Sequence, residues 1–149
     1  MKKENKKFLT KSAGETQKLG ADFAKKILRL EQKENAVVIG LEGDLGSGKT
    51  TFLQGFAKGL GIKEKILSPT YVIMKRFKMP GGKNFIHVDT YRINKPEEIL
   101  EIGFKDIVKN PENIVAIEWP GKIKKYLPEG IIIIKFKFIE KEEREIRFT

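Results

Sequence analysis

The sequence predicts an α/β domain of three layers, a mixed parallel and antiparallel sheet flanked by helices. Three observations predict it. First, an apolar, β-branched run from Ala36 to Leu41 leads into a glycine-rich stretch, Gly43 to Thr50. Thr51 to Leu60 follows with Leu53, Phe56, Ala57 and Leu60 at helical spacing. That is a strand, a loop and a helix in series. Second, Ile114 to Ile117 is wholly apolar and ends in Glu118, the pattern of a strand buried on both faces and paired in parallel. Third, two segments read as hairpins. Val72 to Met79 and Asn84 to Tyr91 flank Pro80-Gly81-Gly82-Lys83, and Ile131 to Ile139 and Arg144 to Phe148 flank a charged turn at Glu140 to Glu143. Crossover helices with parallel strands, together with hairpins, give a mixed sheet in a layered domain.

The elements follow in order. Phe8 to Thr10 is a short first strand. From Gly14 to Leu30, Leu19, Phe23, Ile27 and Leu30 recur at three- and four-residue spacing, which makes an amphipathic helix, and Ser12 or Thr16 is placed to cap it. The helix after the glycine-rich loop should stop near Gly59-Leu60-Gly61. In the strand from Asn84 to Tyr91, Phe85, His87 and Asp89 share one face, and Ile86 and Val88 the other. A helix begins at Lys95 to Leu100 with Pro96 in its first turn; Gly103 breaks it and Phe104 to Val108 is a second short piece. Trp119-Pro120-Gly121 ends the strand before it, since proline cannot continue a central ladder. No repeat, long linker or low-complexity segment divides residues 1–149, so one domain is expected.

Composition narrows the chemistry. The absence of cysteine excludes disulfides, thiol catalysis and Cys-ligated zinc, and a single histidine, His87, excludes a multi-His metal site. No apolar run approaches the roughly eighteen residues of a membrane span. Met1 to Lys7 is charged without an apolar segment after it, so it is not a secretory signal, and a reducing cytoplasm is expected. The formal net charge of +10 favours polyanionic partners, nucleic acid above all, although scattered lysines also reflect a Lys-rich composition.

Gly43-Asp44-Leu45-Gly46-Ser47-Gly48-Lys49-Thr50 fits the P-loop pattern G-x-x-x-x-G-K-[ST] at every fixed position. Glycines allow the backbone to turn tightly and aim N–H groups at a phosphate, and the following helix adds its dipole. Lys49 would reach the β- and γ-phosphates and the Thr50 hydroxyl would face Mg²⁺. A carboxylate at the end of an apolar strand should complete the metal site, and Asp89 and Glu118 both qualify. His87, on the face of Asp89, and Arg92 and Trp119 are candidates for positions near the nucleotide. Ser68-Pro69-Thr70-Tyr71 is a candidate switch-like segment, or an ordinary proline turn entering a strand. The domain is thus P-loop NTPase-like.

Four motifs in series resemble the bacterial TsaE (YjeE) family: the P-loop through Thr51, Ser68-Pro69-Thr70-Tyr71, His87-Val88-Asp89-Thr90-Tyr91-Arg92, and Glu118-Trp119-Pro120. Glu15-Thr16 before the first helix looks similar too. The match spans nearly the whole chain and is weakest past Glu140. The resemblance implies a small ATPase needed for N6-threonylcarbamoyladenosine (t6A) at position 37 of tRNAs that read codons starting with A. It implies action beside a TsaB–TsaD pair, with the threonylcarbamoyl transfer carried by TsaD. It also implies that Thr50, Asp89 and Glu118 surround Mg²⁺, that Gly46 to Thr50 wrap the phosphates of ATP, and that Thr16 lies near the adenine. Contact of this chain with tRNA is left open.

Other classes use parts of the same sequence. A small-molecule kinase adds an arginine-rich lid, but Arg29, Arg76, Arg92, Arg144 and Arg147 are dispersed. A GTPase needs Asn-Lys-x-Asp after a strand, and Asn94-Lys95-Pro96-Glu97 has the wrong acid and opens a helix. A nucleotide-gated RNA-binding module suits the charge but lacks an aromatic stacking signature.

Overall fold

The computed structural model describes residues 5–30, 34–67 and 73–149. Among these, seven strands form one sheet. They are β1 (Lys6–Thr10), β2 (Val37–Glu42), β3 (Met74–Lys78), β4 (Asn84–Asp89), β5 (Asn113–Glu118), β6 (Ile132–Glu140) and β7 (Glu143–Phe148). Their order is β1-β7-β6-β2-β5-β4-β3. The central four, β6, β2, β5 and β4, run parallel. Antiparallel partners extend both sides: β3 on β4, β7 on β6, and β1 on β7. The three layers and the mixed sheet are those the sequence predicts.

One face of the sheet is covered by α1 (Ala13–Leu28) and α2 (Lys49–Gly59). Phe23, Phe52 and Phe56 from these helices pack on Phe85 of β4 and Phe136 of β6 in a buried aromatic core. The other face, Val38, Ile86, Val115 and Ile117, lies under Ile99, Phe104, Ile107 and Ile123. These come from two 3₁₀-helices, Pro96–Ile102 and Pro120–Tyr126, and from α3 (Phe104–Lys109). The wholly apolar β5 is explained by this double cover: all six of its residues are buried.

The two main helices cross at close range. A Cβ on Gly55 would lie 1.9 Å from the Gln17 carbonyl oxygen, and one on Gly20 would lie 2.2 Å from that of Phe52. The spacing predicted an amphipathic helix here; that its partner would be the helix after the P-loop emerges from the packing.

Several boundaries differ from expectation. Ser12, not Thr16, caps α1, its Oγ accepting from the Glu15 amide; Thr16 is buried with its hydroxyl 2.7 Å from that of Thr10. The segment opening at Pro96 is a 3₁₀-helix, held at its start by Glu98, which accepts from the Asn94 and Lys95 amides, and closed by Gly103 at φ 77°. β4 ends at Asp89 rather than Tyr91, because the Asp89 carboxylate accepts from the Tyr91 amide and turns the chain. Val72 and the Ser68 to Tyr71 segment lie outside the described residues.

Candidate functional site

Three parallel strands bring the site together in one row. Leu41 of β2 pairs with Glu118 of β5, and Glu118 pairs with Asp89 of β4. The row lies at the carboxyl ends of these strands, where open α/β sheets bind ligands. Just beyond it the chain leaves β2 at Glu42 and enters the glycine-rich loop.

Gly43 has φ 155°, and a Cβ there would come within 2.6 Å of both the Phe136 carbonyl and Ser47 Oγ, so only glycine fits. Gly48, at φ 105°, is the N-cap of α2 and provides no side-chain cap. The positive end of the α2 dipole therefore carries no side-chain cap from Gly48 and faces the loop. At Gly46, by contrast, a Cβ would meet nothing within 4 Å, so the loop is open there. Asp44, Leu45 and Gly46 form the exposed tip; Thr50 and Thr51, in the first turn of α2, are half-buried.

Lys49 is 5% exposed. Its Nζ donates to the Gly43 carbonyl at 2.5 Å and lies 3.6 Å from the centroid of the Trp119 ring. Both partners are neutral. Burial lowers the pKa of the ammonium below its ordinary value, and the charges of Glu118, Asp89 and Asp44 oppose that shift. Burial likewise raises the Asp89 carboxyl, with a further upward push from Glu118; the Tyr91 amide, His87 and Lys49 pull it down. A buried cation with neutral hydrogen-bond partners, at the positive end of a helix, has the chemistry to take an anion, and the hard oxygens of Asp89 and Glu118 stand in the same row.

His87 is 1% exposed, and its Nε2 lies 2.7 Å from Glu118 Oε2. The sequence made His87 a candidate near the nucleotide through Asp89; its ring is bonded to Glu118, the other candidate carboxylate. Trp119, a candidate for a position near the nucleotide, is half-buried, with its ring 3.6 Å from Lys49 Nζ and 5.3 Å from the Tyr91 ring. Its backbone sits in the left-handed region at φ 61°, ψ 52°, held by the Thr90 hydroxyl on its carbonyl and by its own amide on the Leu41 carbonyl. Such a conformation costs a non-glycine residue on the order of 1–3 kcal/mol and persists only where the surroundings impose it. Arg92 is exposed in the turn after β4. Thr16, implied near the adenine, is buried against Thr10 on α1.

Comparisons with known proteins agree with this geometry. The family model described as "Threonylcarbamoyl adenosine biosynthesis protein TsaE" matches residues 10–146. The chain belongs to the TsaE family. The tRNA threonylcarbamoyladenosine biosynthesis protein TsaE of Haemophilus influenzae is 36% identical over 123 residues, 83% of this chain and 76% of that protein. The Bacillus subtilis protein of the same name is 40% identical over 112 residues, 75% of this chain and 68% of that one. The crystal structure of Bacillus subtilis YdiB superposes with a TM-score of 0.73 at 30% identity, covering 97% of this chain and 84% of its own. The family resemblance carried by the four motifs is therefore borne out, and with it a role in tRNA t6A biosynthesis.

The family match also takes in the first four residues of β7, past Glu140 where the resemblance looked weakest. There the sequence reading missed a residue. The Arg144 Cγ, Cδ and Nε lie 3.4–3.7 Å from where a Gly48 Cβ would be, while Nη1 donates to the Lys141 and Glu143 carbonyls. The signal was present: alternation in β7 puts Arg144 on the face of Ile146 and Phe148, which is the face of the P-loop helix.

Proposed function

We propose that the chain is a P-loop ATPase that binds and slowly hydrolyses ATP in support of threonylcarbamoylation of adenosine 37 in tRNA, acting with a TsaB–TsaD pair whose TsaD carries the transfer. The observation that carries the nucleotide reading is Lys49: a buried ammonium with neutral partners, in a fitted P-loop, level with the paired ends of β2, β4 and β5.

The loop amides and the N-terminus of α2 would hold the β- and γ-phosphates, and Lys49 would exchange the Gly43 carbonyl and the indole face for phosphate oxygens. The donor set fits Mg²⁺. Thr50, Asp89 and Glu118 provide a hydroxyl and two carboxylates, all hard oxygens. No cluster of three or more His, Cys, Asp or Glu among the described residues makes a protein-only cage, and Mg²⁺ usually completes its shell with phosphate and water. When bound, Mg²⁺ offsets charge on the β- and γ-phosphate oxygens. His87 keeps the Glu118 carboxylate turned and hydrogen-bonded, and Trp119 keeps water from the ammonium.

Calorimetry of ATP with Lys49→Ala tests this reading. Losing a charge-assisted contact worth about 1.5–3 kcal/mol should weaken affinity roughly ten- to hundredfold. Wild-type affinity in the variant overturns it.

A further inference from the structure

Among the described residues no helix covers the face of β1, β7 and β6 turned away from α1 and α2, and that face carries a row of like charges. Lys7 pairs with Arg147, and Arg147 with Lys135, directly across neighbouring strands. All three are exposed, the Lys7 and Arg147 side chains by 53% and 50%. Lys137 stands one step along the same face, opposite Glu145. Like charges facing each other across strands destabilise a sheet. The compensation is thin: Glu145 is 3.9 Å from both Lys7 Nζ and Arg147 Nη2, the outer edge of an ion pair, and Glu42 faces Lys135 across the ladder. Exposed pairs of this kind contribute little. An open cavity of about 350 Å³ lies over the row, lined by Asn5, Lys7, Lys135, Arg147 and Thr149.

We infer that this face is a landing surface for the phosphodiester backbone of a structured RNA. The lining is polar donors and cations throughout, which suits phosphate oxygens; the exposed apolar side chains of these strands, Phe8, Leu9, Phe138 and Ile139, are not part of it. No aromatic side chain stands in the rows for bases to stack on, so the contact is with backbone and is indifferent to sequence. The net charge of +10 adds long-range attraction. The family's role in tRNA modification puts a large polyanion in the same process. The inference rests on the family and the sheet face, not on the nucleotide reading.

The test is anisotropy titration of the full chain with unfractionated tRNA, without nucleotide, between about 50 and 200 mM salt. The triple variant Lys7→Glu, Lys135→Glu, Arg147→Glu is compared with a control of equal charge change at exposed positions elsewhere, Lys25→Glu, Lys58→Glu, Lys105→Glu. The face variant should lose tenfold or more in affinity. It should flatten the slope of log affinity against log salt by about 0.7–0.9 per lost phosphate contact, roughly two to three in all. The control should stay near wild type, and ATP affinity should be unchanged in both. If the reversed charges prevent folding, the neutral triple variant Lys7→Gln, Lys135→Gln, Arg147→Gln should show the same flattening. Equal losses in face and control variants, or no tRNA binding by the wild type, overturn the proposal. So does an acidic polypeptide that binds this face more tightly than tRNA does.

Discussion

Lys49 lies between a carbonyl and an indole ring, neutral contacts that suit a cation, with the charges of Glu118, Asp89 and Asp44 acting on it as well. A cation over tryptophan is worth about 0.5–2 kcal/mol, less than a charge-assisted bond to phosphate at about 1.5–3 kcal/mol, so nucleotide should win the ammonium. Trp119 is the sole tryptophan, and its fluorescence should change saturably as ATP or ADP is added. Unchanged emission under saturating nucleotide would show that the ring does not respond to the site. His87 makes a different prediction. Its ring is the buried partner of Glu118, and His87→Ala leaves a buried carboxylate short of a donor, at a cost of about 1–3 kcal/mol. His87→Gln, which can restore an N–H donor, should recover part of that stability and part of the divalent-cation affinity measured with Mn²⁺ as probe. Equal losses in both variants would mean that the imidazole matters for its shape and not for the bond.

Among elements, the α1–α2 crossing decides most. Gly20, Gly55 and Gly59 let the backbones touch, and Gln17 donates to Gln54, which donates onward to the Ile66 carbonyl. The P-loop helix is thereby tied to the chain entering residues 68–72. Gly55→Ala sets two effects against each other. Alanine gains about 1 kcal/mol of helix propensity, but its Cβ would stand 1.9 Å from a backbone oxygen that cannot swing aside. Overpacking costs about 1–3 kcal/mol or more, so the clash should win and thermal melting should fall. A variant that melts at or above the wild-type temperature would show that the crossing has slack.

For the whole molecule, the proposed hydrolysis lacks one ingredient. Phosphoryl transfer to water needs extra positive charge in the transition state. Arg144 flanks the loop at Gly48 but is committed through Nη1 to turn carbonyls, and Arg92 is exposed. Leu45 and Tyr91 beside the site are 76% and 47% exposed, apolar surface that a partner could cover. Turnover by the chain alone should therefore be slow and should rise when the TsaB–TsaD pair is added. An arginine supplied in trans would account for about three to five orders of magnitude. Steady-state hydrolysis with and without the pair, scored beside t6A formed per ATP, checks this. Fast turnover alone, unchanged by the pair, would refute partner activation.

What the sequence by itself determined is what local chemistry and period can encode. The glycine-rich loop from Gly43 to Thr50 was legible with the strand before it and the helix after it, and four motifs in series carried the family. The apolar run of β5 and the alternation of β4, β6 and β7 announced the mixed sheet. Tertiary structure decided what depends on neighbours distant in the chain. Glu118 and Asp89 meet because β5 lies between β2 and β4, an order no local pattern states. His87 bonds Glu118 because parallel pairing of β4 and β5 sets His87 and Asp89 of one strand beside Glu118 of the other. Arg144 reaches Gly48 and Lys7 lines up with Arg147 and Lys135 because the terminal strands pair in one register. Side chains on adjacent strands are set by ladder hydrogen bonds, and those bonds join residues whose separation in sequence carries no trace of the pairing.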